Sequence, residues 1–141
     1  MFDIVKYEDR LAIWSKFRDS LETELDPFLS VMERFSSMHH QSLVLDPWNQ
    51  TTWKTPWELI YDNQYCAFSL CLMMYYTLGL TDKFKDFQYN IFICRDTTVN
   101  FYVLSVDDKY LSTKFPKPLQ KNNFEIYNIL HTYNNLLLHK N

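Results

Sequence analysis

The chain has 141 residues, 47% hydrophobic and 22% charged, with a formal net charge of −3; this suits a single domain spanning 1–141 and excludes intrinsic disorder. Net acidity leaves no electrostatic footprint for DNA or RNA, so no nucleic-acid partner is expected. A single glycine rules out Gly-rich phosphate loops and dinucleotide fingerprints, while 11 Phe, 10 Tyr and 4 Trp carry much of the core volume.

In chain order, Asp3 is placed to cap a helix in which Tyr7, Leu11, Trp14, Phe17 and Leu21 recur every three or four residues. Asp26-Pro27 opens a second helix to about Phe35, with Phe28, Val31, Met32 and Phe35 on its apolar face. Residues 36–54 break into a polar, irregular loop holding His39, His40, Asp46-Pro47, Trp48 and Trp53. Thr55-Pro56-Trp57-Glu58 then combines a capping box with proline in the first turn, starting a short helix that ends near Asp62-Asn63. From Cys66 to Leu78 nearly every face is apolar, which predicts a buried central helix, with Gly79 placed for its C-terminal cap. Beyond residue 86 the period changes to alternation. Phe87, Tyr89, Ile91 and Ile93 share one side, Asp96-Thr97 turns, Val99–Val106 forms a second strand, and Lys109–Thr113 forms a third after Asp107-Asp108. Asn122 or Asn123 caps a predicted last helix bearing Phe124, Tyr127, Leu130 and Leu137, fraying at Lys140-Asn141. The expected fold class is α+β: N-terminal helices, a buried central helix, a three-stranded antiparallel meander and a C-terminal helix.

Three cysteines, Cys66, Cys71 and Cys94, are irregularly spaced without a CxxC pair, against a disulfide framework or zinc ribbon and in favour of a reducing compartment. Residues 1–10 carry acidic groups and no apolar core of a secretory signal. Residues 65–81, the longest uncharged apolar stretch, fall short of the roughly 20 residues of a membrane span, so no membrane partner and a cytoplasmic location are expected.

Trp53-Lys54-Thr55-Pro56-Trp57-Glu58-Leu59, Tyr65-Cys66 and Tyr75-Tyr76-Thr77-Leu78-Gly79-Leu80, followed by three strands, resemble the core of the transglutaminase-like cysteine proteinases, a branch of the papain-like superfamily. The resemblance implies that Cys66 is the nucleophile at a helix N-terminus, with a histidine on a neighbouring strand and an acid on the next. Where the histidine should stand the chain has Asn100 or Phe101, the acid's place is near Ser112, and Gln64-Tyr65 replaces the family's Gly-Asp. The resemblance therefore implies a catalytically dead copy. Asp46-Pro47-Trp48-Asn49-Gln50-Thr51-Thr52-Trp53 and Val106-Asp107-Asp108-Lys109 also resemble small proteins of marine tailed cyanophages.

Each candidate site has a plain structural counterpart. Buried cysteine is the commoner role for Cys66. His39-His40 read as solvated loop residues, since adjacent histidines do not easily reach one ion, and no metal or other cofactor is expected. His131 lies on a helix face and His139 in a frayed end, leaving only a fold-back of His131 toward Cys66 as an alternative. Asp107-Asp108 read as turn formers rather than a cation site. Trp48, Trp53 and Trp57 form either a lid over the core or a partner-binding surface. The expected function is a non-enzymatic protein-interaction module, phage-encoded with a host-directed or assembly role, that binds a protein partner of unspecified identity through these tryptophans. The alternatives are a cysteine hydrolase or acyltransferase using Cys66, and a virion structural component.

Overall fold

The structure, a computed structural model, describes residues 2–4 and 6–138. The first helix, α1 (Tyr7–Leu21), has Lys6 at its N-cap with no side-chain cap, so Asp3 lies outside it; Glu8 and Asp9 in the first turn supply the favourable negative charge instead. Its apolar spacing buries Trp14, Phe17 and Leu21. The next, α2 (Pro27–Ser36), starts as expected: the Asp26 carboxylate accepts the Leu29 N–H at 3.1 Å and proline fills the first turn. One 3₁₀ turn, Gln50–Thr52, interrupts the following loop. The short α3 (Pro56–Asp62) carries a complete capping box, Glu58 N–H to Thr55 Oγ1 at 3.2 Å and Thr55 N–H to Glu58 Oε1 at 3.0 Å.

The central helix, α4 (Ala67–Gly79), is buried on almost every face, as its lack of polar positions demands. Gly79 is its last residue and serves close approach rather than a cap: a Cβ there would lie 2.7 Å from Leu138 Cδ1.

Three strands follow, β1 (Tyr89–Asp96), β2 (Val99–Val106) and β3 (Lys109–Leu111), paired antiparallel. The short β4 (Leu119–Gln120) adds to β3. The predicted C-terminal helix is corrected. Only α5 (Lys121–Phe124) is helical, and β5 (Asn128–Tyr133) pairs antiparallel with β1, giving the order β4-β3-β2-β1-β5. The helical spacing of Phe124, Tyr127 and Leu130 misled because β5 is an edge strand exposed over most of its length, so burial imposes little alternation. The expected fraying at Lys140-Asn141 lies outside the described residues.

The sheet is covered on both faces. On one, α4 packs through Tyr75 on Tyr89 and Phe68 on Tyr102, with ring centroids 5.3 and 5.2 Å apart. On the other, Phe124 lies against Phe92 and Tyr110, and Tyr127 against Phe101. Behind α4, the Trp14 indole N–H donates to Thr77 Oγ1 at 2.9 Å, fixing α1 to the central helix.

Both meander hairpins close through two-residue turns whose first residue has positive φ, Thr97 at 58° and Asp107 at 53°. Aspartate tolerates this region, and Asp107 gains by accepting the Gln88 N–H at 2.8 Å and donating its own N–H to Gln88 O at 2.9 Å. A β-branched threonine has no such ease. Thr97→Asn is expected to raise the unfolding free energy by about 0.5–1 kcal/mol in urea titration.

Candidate active site

Cys66 stands at the N-cap of α4 with extended backbone (φ −118°) and is 2% exposed. Its N–H donates to Ser69 Oγ at 2.8 Å and Ser69 Oγ donates back to Cys66 O at 3.1 Å, while the Ser69 amide turns toward the sulfur, a capping box built on a thiol. Burial alone pushes the thiol up. Hydrogen bonds from the backbone at Val44, Ser69 and Leu45 and from the Ser69 side chain outweigh it, so the net shift is below the ordinary thiol value. A helix N-terminus favours the thiolate in the same direction. The other two thiols behave oppositely: burial raises Cys71 far above its ordinary value and pushes Cys94 up to about 12.

The strand residues expected to oppose the sulfur are reassigned by register. Phe101 points to the other face, against Phe115 and Tyr127. Tyr102 occupies the α4 side, and alternation puts Asn100 on that side too; its Oδ1 is buried without a partner among the described residues. Burial raises the Tyr102 phenol first, followed by the negative charges that Cys66, Cys71 and Asp46 can carry, so it stays protonated beside a thiolate. Ser112 offers no acid; it sits in the turn after β3, accepting the Lys114 N–H at 3.2 Å. Residues 101–104 are apolar at four successive positions, so the sequence marks no inward face for Tyr102; only the docking of α4, with Phe68 on Tyr102, shows which side it takes.

His131 is not on a helix. In β5 it pairs with Ile93, which pairs in turn with Tyr102, so the three form a row across β5, β1 and β2. Its ring lies 4.6 Å from Tyr133 and 6.0 Å from Trp48. His39 and His40 line a separate cleft of about 520 Å³ with Phe2, Asp3 and Tyr65, and His139 lies outside the described residues. Among the described residues no three His, Cys, Asp or Glu side chains are grouped to hold a metal ion.

The three tryptophans have different settings. Trp48 is 51% exposed beside His131, Trp53 packs between Phe68 and Tyr133, and Trp57, 47% exposed, meets Trp14 edge-on at 5.4 Å. A cleft of about 360 Å³ lined by Val44, Leu45, Lys54, Leu59, Asp62 and Gln64 adjoins the Val44–Leu45 backbone that holds the sulfur. Among the described residues no helix is long and apolar enough to cross a membrane.

No protein-family model matches the sequence, and no curated protein matches it significantly. Solved structures do. EGTA-treated LapG from Legionella pneumophila is 19% identical with a TM-score of 0.71, over 93% of this chain and 75% of that one. A second LapG structure gives 19%, 0.71, 93% and 77%. Calcium-bound LapG gives 18%, 0.64, 93% and 77%. LapG is a transglutaminase-like cysteine protease. That neighbour overturns the expectation of a non-enzymatic interaction module, for which missing strand residues had been the reason; the cysteine-hydrolase alternative fits better. The comparisons lend no support to a phage origin. The chain is a mixed helix and sheet protein similar in fold to LapG.

Proposed function

We propose that the chain is a thiol hydrolase acting by acyl transfer on peptide or amide bonds, with Cys66 as nucleophile. The observation that carries this reading is the Cys66 thiol itself, drawn below its ordinary pKa by backbone hydrogen bonds at a helix N-terminus despite near-complete burial. The thiolate adds to the acyl carbon and the C–N bond breaks to leave a thioester; the leaving amine takes its proton from the Tyr102 hydroxyl, and water then gives a proton back to the Tyr102 phenolate as it attacks the thioester, releasing the acid and returning the thiolate. Tyr102 suits the donor role because its surroundings keep it protonated. The cleft lined by Val44, Leu45, Leu59 and Gln64 is the proposed approach for the substrate.

The test is digestion of a mixed peptide library, with cleavage sites mapped by mass spectrometry. Cleavage by the wild type that disappears in Cys66→Ala is expected. Tyr102→Phe is expected to retain thiol labelling and lose roughly 10²-fold or more in turnover, with His131→Ala much less affected. Cleavage that persists in Cys66→Ala would remove the proposal.

A further inference from the structure

The sulfur that this reading makes a nucleophile is covered by residues 42–53. One end of that segment is pinned where the Gln41 N–H donates to Tyr65 O at 2.9 Å, and the other where Tyr76 Oη donates to Lys54 O at 2.6 Å. Between the pins its regular structure is one 3₁₀ turn. Midway it is held to the edge strand by the Tyr133 hydroxyl, donating to Pro47 O at 2.7 Å, and by Trp48 against His131. The Asp46 carboxylate accepts the Trp48 N–H at 2.9 Å and so sets the turn that presents Pro47.

Two features make this a cover able to open rather than a fixed part of the core. The backbone at Val44 and Leu45 bonds the Cys66 sulfur, filling positions around the thiol that an incoming carbonyl needs; when they leave, the Ser69 hydrogen bonds remain and the burial that raises the thiol is relieved. At Trp53 the indole N–H is buried without a partner among the described residues, a penalty of the closed arrangement that release to solvent removes. Leu43, Asp46, Trp48, Asn49 and Gln50 are exposed, while Leu45 and Pro47 are buried, so lifting the middle draws two apolar side chains away from the core and leaves the rest of the segment as it is.

We propose that residues 42–53 form an autoinhibitory strap, latched to β5 by Tyr133 and Trp48, that must lift before Cys66 can meet a substrate. The proposal rests on the hydrolase reading and assigns its regulation: anything that engages the exposed Trp48 or competes for the Tyr133 hydroxyl shifts the population toward the open, reactive form.

Alkylation of the full chain by iodoacetamide, resolved by peptide mapping for each cysteine, tests it without any substrate. In Tyr133→Phe, Cys66 is expected to react roughly fivefold faster than in the wild type, the change in open population that loss of one such hydrogen bond confers. Trp48→Ala is expected to act in the same direction, with Cys71 and Cys94 unchanged in both variants. Equal Cys66 rates in all three proteins overturn the strap. A rise shared by all three cysteines overturns it too, because that reports global unfolding. Peptide cleavage by the wild type with unchanged labelling in the variants would leave the hydrolase standing and remove its strap. Selective labelling without cleavage of any peptide would keep the gate and remove the hydrolase.

Discussion

The protein is expected to unfold in alkali near pH 11, losing its helical circular dichroism and exposing its phenolates in one cooperative step. The cause is a set of groups that fold neutral. Burial raises Cys71, pushes Cys94 up to about 12 and Tyr76 to about 12, and lifts Tyr65, Tyr75 and Tyr89 well above the ordinary phenol value. For a raised acid, stability is whole below the unfolded-state pKa and declines once pH passes it, because the unfolded chain ionises first. The window therefore opens near pH 9 for the thiols and near 10 for the phenols. At pH 11 the loss is about 3 kcal/mol for each thiol and about 1 kcal/mol for each phenol, on the order of 10 kcal/mol together, which matches the whole stability of an ordinary domain. Tyr76 and Tyr89 add to the cooperativity because each donates its hydroxyl proton, to Lys54 O and Phe84 O. Cys66 has the opposite sign: its depressed pKa contributes stability that is full above the ordinary thiol value and is lost as pH falls through its lowered one. Absorbance at the phenolate band, followed alongside circular dichroism, decides the matter; gradual ionisation centred near pH 10 with the helix signal intact would contradict it.

Trp14→Ala is expected to lower the unfolding free energy by about 3–5 kcal/mol, read from the urea midpoint. The indole is 0% exposed, its N–H bonds Thr77, its edge meets Trp57, and the Arg18 guanidinium carbon sits 4.3 Å from its ring centre. One side chain thus joins α1, α3 and α4, and truncation removes area, a hydrogen bond and a cation–π contact together. Trp14→Phe is expected to cost only about 1–2 kcal/mol, since Thr77 Oγ1 keeps its bond to Met73 O and no buried donor is orphaned. Equal losses in the two variants would show that the polar link, and not the packing, dominates.

Where structure is set by neighbours in the chain, the residues announced it. Asp26-Pro27 and Thr55-Pro56-Trp57-Glu58 carry their own caps, and α2 and α3 begin there. The unbroken apolar stretch after Cys66 could only be a helix enclosed by protein, and alternation marked β1 and β2. The failures are non-local. Asn128–Tyr133 becomes a strand because β1 offers a free edge, a reason that lies more than thirty residues away in sequence. The site divides in the same way: a cysteine opening a buried helix was visible, whereas Tyr102 and His131 enter one row only through the pairing of β2, β1 and β5. The tryptophans were grouped by closeness in sequence, yet Trp57 belongs with Trp14 and Trp53 with Phe68.

The lone glycine shows local preference yielding to a distant neighbour. Alanine at position 79 would suit the last turn of α4 better by roughly 1 kcal/mol, but its methyl would claim the volume where the Leu138 side chain rests. Two stretches nearly sixty residues apart share one methyl-sized notch, so the helix forgoes some of its own strength to keep residue 138 docked against its end.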